Sequence, residues 1–234
     1  MNTRRKFLIQ GGLATTALLV TKPYKTIAGV TSPVTGFGIN DNRVLFLHTA
    51  GAQSANQHQL VDKISELKKT AANVVLLHAG KEVSGRAATL NYDASVSHSN
   101  AVAATANNYR IIYKGNVKIG VITATADDNN LFSSINSQAA YLKKERNCHL
   151  VVCLSQLGYR HKHGMDDHTL ATHSSNLDII VGGDPNNISR NPVIALNKNN
   201  AEVIIGNAAD ASLALGKIGI TFNDLGQKWN IDFN

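Results

Sequence analysis

Val117-Lys118-Ile119-Gly120-Val121-Ile122-Thr123 and Leu150-Val151-Val152-Cys153-Leu154 decide the fold. Both are short apolar runs rich in β-branched residues, as expected of strands buried on both faces. Between them, residues 133–146 place Ile135, Ala139 and Leu142 on one helical stripe, opened by a Ser N-cap signal. The same alternation continues in both directions. Upstream, residues 44–47 are a buried-strand candidate. Residues 59–70 form an amphipathic helix through Leu60, Ile64, Leu67 and Ala71, and residues 74–77 a second buried strand. Residues 110–113 and 117–123 flank Lys114-Gly115-Asn116, which reads as a tight hairpin turn. Downstream come a weaker helix over 166–176 and a strand over 177–181 that ends in Gly182-Gly183. A tail over 193–196, 201–205, 215–222 and 229–233 reads as a β meander. Mixed βα units followed by strands imply sheets packed on one another and covered by helices.

Composition narrows the class. The 234 residues, 43% hydrophobic and 17% charged, suffice for one domain with a substantial core. Four Pro exclude a collagen-like chain, and two Cys exclude a disulfide scaffold. The formal net charge is +7, but Arg4, Arg5, Lys6, Lys22 and Lys25 stand in the first 28 residues without any acid. About +2 remains for the rest, an ordinary surface balance that gives no footprint for nucleic acid. Residues 1–29 read as an export signal: basic start, short apolar run, small residues up to Ala28-Gly29. Arg4-Arg5 before Phe7-Leu8 resembles the twin-arginine signal, which implies a periplasmic destination. An ordinary secretion signal or an uncleaved anchor are the alternatives. The apolar run is short for a permanent membrane span. Residues 30–42 read as a linker and 43–234 as the domain.

The strand ends carry phrases of a known family. Leu45-Phe46-Leu47-His48-Thr49 resembles the "ILHTND-x-H" opening of the calcineurin-like metallophosphoesterases, in particular the N-terminal domain of periplasmic 5′-nucleotidases. Val75-Leu76-Leu77-His78-Ala79-Gly80 is similar to its "LLLDAGD", and Tyr92-Asp93-Ala94 to the "YDA" before "GNHE". Val117 to Ile122 resembles "VKIGVIG", and Leu154-Ser155-Gln156-Leu157-Gly158 resembles "LSHLG". Leu177 to Gly183 is similar to "IDVIIGGHTH", and Leu215-Gly216-Lys217-Ile218 to "LGRL". The phrases keep family order over nearly all of the domain. The resemblance implies a four-layer αββα sandwich, somewhat trimmed. It also implies two metal ions about 3.5 to 4 Å apart that clamp a phosphate and generate a hydroxide.

Carried over by position, the family's ligands fall on other residue types. The Asp and His of the opening phrase fall on Gly51 and Gln53, and the bridging Asp on Lys81. The Asn and His of "GNHE" fall on Ser99 and Asn100, the His of "LSHLG" on Gln156, and the two His of "GGH-x-H" on Asp184 and Asn186. Glycine coordinates nothing, neutral amides replace carboxylate and imidazole poorly, and an ammonium at Lys81 repels dications. Lys81 is instead expected to pair with Asp184. The resemblance thus implies the fold and contradicts the activity. The expectation is an exported 5′-nucleotidase-like pseudoenzyme, without catalytic residues or cofactor, serving as a binding or partner module. A separate nucleotidase C-terminal-type chain or another envelope protein would be its partner. The alternative is a divergent phosphoesterase that uses Mn or Zn at a rebuilt site.

That site would be built from His161, His163, Asp166 and His168, with Asp167 able to complete it, because His-x-His puts two imidazoles on one face of an extended segment. A polar surface loop is the plainer reading. His48 and His78 end apolar strands, facing the cleft or satisfied by backbone carbonyls. Cys148 and Cys153 are expected to be free, buried thiols, pointing to opposite faces of their strand. Ser84-Gly85-Arg86 reads as a loop or as an anion cradle. Trp229 reads as core or hairpin packing.

Overall fold

The computed structural model describes residues 42–50, 56–80, 85–96, 109–125, 130–161, 164–184, 191–208 and 215–233. The chain divides into residues 1–35 and residues 36–234, and every described residue belongs to the second unit. Arg4, Arg5, the export segment and the linker up to residue 41 lie outside the described residues.

Eleven strands and three α-helices follow in order among the described residues: β1 Arg43–Thr49, α1 Gln57–Thr70, β2 Val74–His78, β3 Ala94–Ser95, β4 Tyr109–Lys114, β5 Val117–Ala124, α2 Leu131–Lys144, β6 Leu150–Ser155, α3 Asp167–His173, β7 Ile179–Gly182, β8 Val193–Leu196, β9 Glu202–Asn207, β10 Leu215–Phe222 and β11 Lys228–Asp232. They form a five-stranded sheet, β11-β10-β1-β2-β3, and a six-stranded sheet, β4-β5-β6-β7-β9-β8. The three runs that open with β5, β6 and β7 are parallel neighbours, with Ile119 opposite Leu150 and Val152 opposite Ile179. The β4–β5 hairpin closes at Lys114 and Val117, and Gly115 takes the positive φ of 54° that such a turn requires.

Alternation along each strand sorts the apolar side chains into three layers. Phe46, Leu77, Val121, Val152, Val181 and Ile218 fill the space between the sheets. Leu45, Leu47 and Leu76 point the other way, onto Leu60 and Ile64 of α1. Ile122, Val151, Ile180 and Ile205 face Ile135, Ala139 and Leu142 of α2 and Leu170 of α3. The layering is therefore helix, sheet, sheet, helix. Helix α2 sits tightly on its sheet: a Cβ at Gly120 would meet Leu142 Cδ1 at 2.8 Å.

Two carboxylates, Asp178 buried and Asp93 half-buried, fasten the layers. Asp178, just before β7, accepts from the Val151 amide at 2.8 Å and pairs with Lys143 of α2 at 2.7 Å and Lys228 of β11 at 2.8 Å. Asp93, just before β3, accepts from the Leu76 amide at 2.8 Å and pairs with Lys114 of β4 at 2.9 Å. Each joins one sheet to the other, on opposite flanks of the sandwich.

The structure corrects several expectations. The tail strands are not one meander. The β8–β9 hairpin extends the six-stranded sheet, with β9 parallel to β7, while β10–β11 extends the other sheet beside β1. Ile204 and Ile205 are both fully buried, so β9 needs cover on both faces and lies inside its sheet. Helix α2 starts at Asn130, which makes no side-chain cap hydrogen bond, rather than at a Ser cap. Cys148 and Cys153 are free and buried as expected, but both belong to the helix-facing layer, because Cys148 precedes β6 instead of alternating with Cys153 along it. Trp229 is 76% exposed, on an edge strand beside a bulge in the β10–β11 ladder.

Candidate functional site

The parallel strands of both sheets end at a common rim. The Cα of Gly183 lies against the carbonyl of Ala79, and His48 at the end of β1 lies against Gly206 of β9 and Gly216 of β10. A side chain at Gly183 would collide with Ala79, so this glycine lets the two sheet ends close on one another, while Gly216 leaves room for the His48 ring across its own sheet. Carboxyl ends of parallel strands are where open α/β sheets place their ligands.

On the five-stranded side, the Thr49 hydroxyl donates to the Tyr92 hydroxyl at 3.3 Å and lies 2.7 Å from Nδ1 of His78. The His78 and Tyr92 rings pack with centroids 5.3 Å apart. Burial raises the Tyr92 phenol above its ordinary range, against the Thr49 hydrogen bond. Nδ1 of His78 is thus paired with a hydroxyl.

Between the sheets, His48 is 1% exposed, and its Nδ1 has no hydrogen-bond partner among the described residues. Burial alone pushes its pKa down to about 4, so it stands neutral in the core.

The six-stranded side carries the most charge. Ser155 at the end of β6 pairs with Gly182 at the end of β7, and Gly182 with Asn207 at the end of β9, which makes one row across three strands. Asp167 of α3 reaches this row and is fully buried. Burial, assisted by Asp166 and Asp184, pushes its carboxyl up to about 7. The Ser155 hydroxyl is close enough to oppose that rise without closing a hydrogen bond to either carboxylate oxygen.

Gln156 and Asp184, which directly follow β6 and β7 or their last glycines, are the two expected cleft residues among those described; both are half-buried. The Gln156 amide donates to the Ala124 carbonyl at 3.0 Å. Gly51, Gln53, Lys81, Ser99, Asn100 and Asn186 lie outside the described residues, and so does the pairing expected of Lys81. Of the alternative cluster, His163 lies outside as well. The His161 ring contacts the Leu157 carbonyl at 2.6 Å. Asp166 caps α3, accepting from the Thr169 amide at 2.6 Å and from the His161 amide at 3.0 Å; burial is the largest single effect and raises its carboxyl, but these bonds and nearby His168 together outweigh it and hold the carboxyl below the usual range. His168 is half-buried on α3. Ser84 and the Arg86 side chain lie outside the described residues.

Among the described residues, no three His, Cys, Asp or Glu side chains gather as a metal ion would require, and Gln156 offers a neutral amide in place of an imidazole. Gln156 does not fit the imidazole position that the resemblance implies, and no reaction step is assigned to a metal there. Sequence reasoning missed Asn207 and Ser155. A polar residue at the end of an apolar run is the signal that was there to be read.

No family model matches the chain, and no curated protein matches it in sequence. Solved structures do. The NAD nucleotidase NadN of Haemophilus influenzae superposes with a TM-score of 0.58 at 15% identity, over 81% of this chain and 49% of that one. The 5′-nucleotidase precursor of Thermus thermophilus gives 0.54 at 15% identity, over 81% and 53%. The calcineurin-like phosphoesterase YfkN of Bacillus subtilis gives 0.52 at 14% identity, over 82% and 91%. This chain spans about half the length of the first two. At such identities the likeness is one of fold: a trimmed metallophosphoesterase-type sandwich, in agreement with the strand-end phrases.

Proposed function

We propose that this chain, built on the metallophosphoesterase-type fold, is an exported 5′-nucleotidase-like pseudoenzyme that serves as a binding or partner module. The observation that carries the reading is the residue at the end of β6. Gln156 stands where the resemblance implies a metal-bound imidazole, and a neutral amide holds a dication poorly. Asp184 after Gly183 supplies a carboxylate where the same resemblance implies a second imidazole. The twin-arginine-like start at Arg4-Arg5 supports export to the periplasm. Its proposed partner is a chain of nucleotidase C-terminal type or another envelope protein.

The test is an incubation of purified protein with Mn2+ or Zn2+ and a generic aryl phosphate ester. Circular dichroism establishes that the chain is folded, and bound metal is counted per chain. The reading predicts a folded protein without metal-dependent turnover. Chelator-sensitive turnover with stoichiometric Mn or Zn would establish the rival reading, a divergent phosphoesterase with a rebuilt site.

A further inference from the structure

We propose that Asp167, Asn207 and Ser155 form a buried site for a hard, oxygen-seeking cation on the helix-facing side of the six-stranded sheet. Four polar atoms define it. Both carboxylate oxygens of Asp167 and both amide atoms of Asn207 lack a hydrogen-bond partner among the described residues. Asp167 is fully buried and Asn207 is 5% exposed. Buried polar groups in folded proteins are nearly always satisfied, and an orphaned set points to an ion or water that completes it. These orphans also converge. A Cβ at Gly182 would meet Asp167 Oδ2 at 2.7 Å and would collide with Asn207 Oδ1, so two acceptor oxygens lean over the same glycine and neither closes a hydrogen bond.

The row of strand ends explains the cradle. Ser155, Gly182 and Asn207 are cross-strand neighbours, and the middle position has no side chain. Ser155 Oγ already accepts from the Leu157 amide at 3.1 Å and keeps a lone pair for a ligand. Asp166 and Asp184 add negative potential at Asp167, and His161 partly offsets it. A positive charge is what this environment lacks. A proton would join one pair of oxygens and leave the other Asp167 oxygen unsatisfied. A cation engages the carboxylate and the Asn207 oxygen together, and its bound water can accept from the Asn207 amide. The donors are all oxygen, which suits Ca2+, Mg2+ or Na+ rather than ions that prefer imidazole or thiolate.

The site shares the strand-end rim with the positions where the resemblance places a dinuclear centre, but it opens onto the other face of the sheet. Gly182 faces Asp167 and α3, whereas Gly183 faces Ala79 and the other sheet. The proposal stands whether or not the rim is catalytically silent.

The experiment follows the thermal unfolding midpoint of chelator-treated protein at pH 8 during titration with Ca2+, Mg2+ and Na+. Choline chloride controls for ionic strength. The native chain is expected to show a saturable rise of about 5 °C with at least one of the three. Asp167→Asn keeps the shape, folds, and loses that rise. Asn207→Asp adds a second carboxylate and tightens the divalent response roughly tenfold. Asp224→Asn, in the β10–β11 turn, leaves the response unchanged. No saturable rise with any of the cations, or an undiminished rise in Asp167→Asn, overturns the proposal. A midpoint that Asp167→Asn raises with no cation response in the native chain also overturns it, since a proton then holds the site.

Discussion

Asp178 and Asp167 are both buried carboxylates at the six-stranded sheet, one where β7 begins and the other over the glycine where β7 ends. Asp178 has a backbone amide and two lysines, from α2 and from the opposite sheet. The Asp167 carboxylate has no hydrogen-bond partner among the described residues, and the side-chain amide of Asn207 beside it has none either. At one end of the strands the polar groups are matched and hold the layers together. At the other end they are left open, on the edge where folds of this kind place ligands. A buried charge without a partner costs several kcal/mol unless it binds a proton or a counter-ion. The open end is therefore the functional candidate, and the matched end is architecture.

The largest expected effect tests the matched end. Asp178→Ala leaves two lysines unpaired and one buried amide unsatisfied, and should cost about 4 kcal/mol in urea unfolding. A cost below about 1 kcal/mol would mean that the clasp is ornamental and would remove the contrast.

The open end should show itself through pH. Without added cation, the Asp167 carboxyl is raised from 3.8 to about 7. Its contribution is fully present below the unfolded value and is lost as pH rises through 7. Asp167→Asn should therefore be more stable than the native chain at pH 8 by about 4 kcal/mol, with the difference vanishing toward pH 4. Equal stability at pH 8 would mean that the carboxylate has found a partner.

His48 runs the other way and somewhat more weakly. Its pKa is depressed from 6.5 to about 4. Its contribution is present above 6.5 and lost as pH falls through 4, up to about 3 kcal/mol. The two buried groups thus oppose each other across nearly the same window, and the native curve should be flat there. His48→Leu should expose the Asp167 slope alone, and Asp167→Asn the His48 slope alone. Parallel curves for both variants would contradict the assignment.

The smallest effect is predicted for Trp229→Ser. With the ring 76% exposed, the change should stay within about 0.5 kcal/mol. A larger loss would show that the ring is packed.

What the sequence made legible follows the same division. Strands buried on both faces announce themselves as apolar runs, and β1, β2, β5, β6 and β7 fall where those runs are. The stripes of α1 and α2 bury the residues their spacing selects. Partner choice for the tail was not legible, because period-two alternation says which face a side chain takes and not which strand lies alongside. In Asp166-Asp167 two identical residues take opposite roles: the first caps a helix, the second goes unpartnered into the core. Only the backbone path distinguishes them. Asn207 acquires meaning through Gly182 and Asp167, neighbours that sequence order does not reveal.

The central claim is that a hydrolase scaffold is kept here while the positions that would hold its ions carry other side chains. The most direct test compares Zn2+ uptake, by equilibrium dialysis, of the native chain with a folded variant carrying Gly51→Asp, Gln53→His, Lys81→Asp, Gln156→His and Asp184→His. The account predicts that the variant binds Zn2+ where the native chain does not. A folded variant that takes up no more Zn2+ than its parent would contradict it.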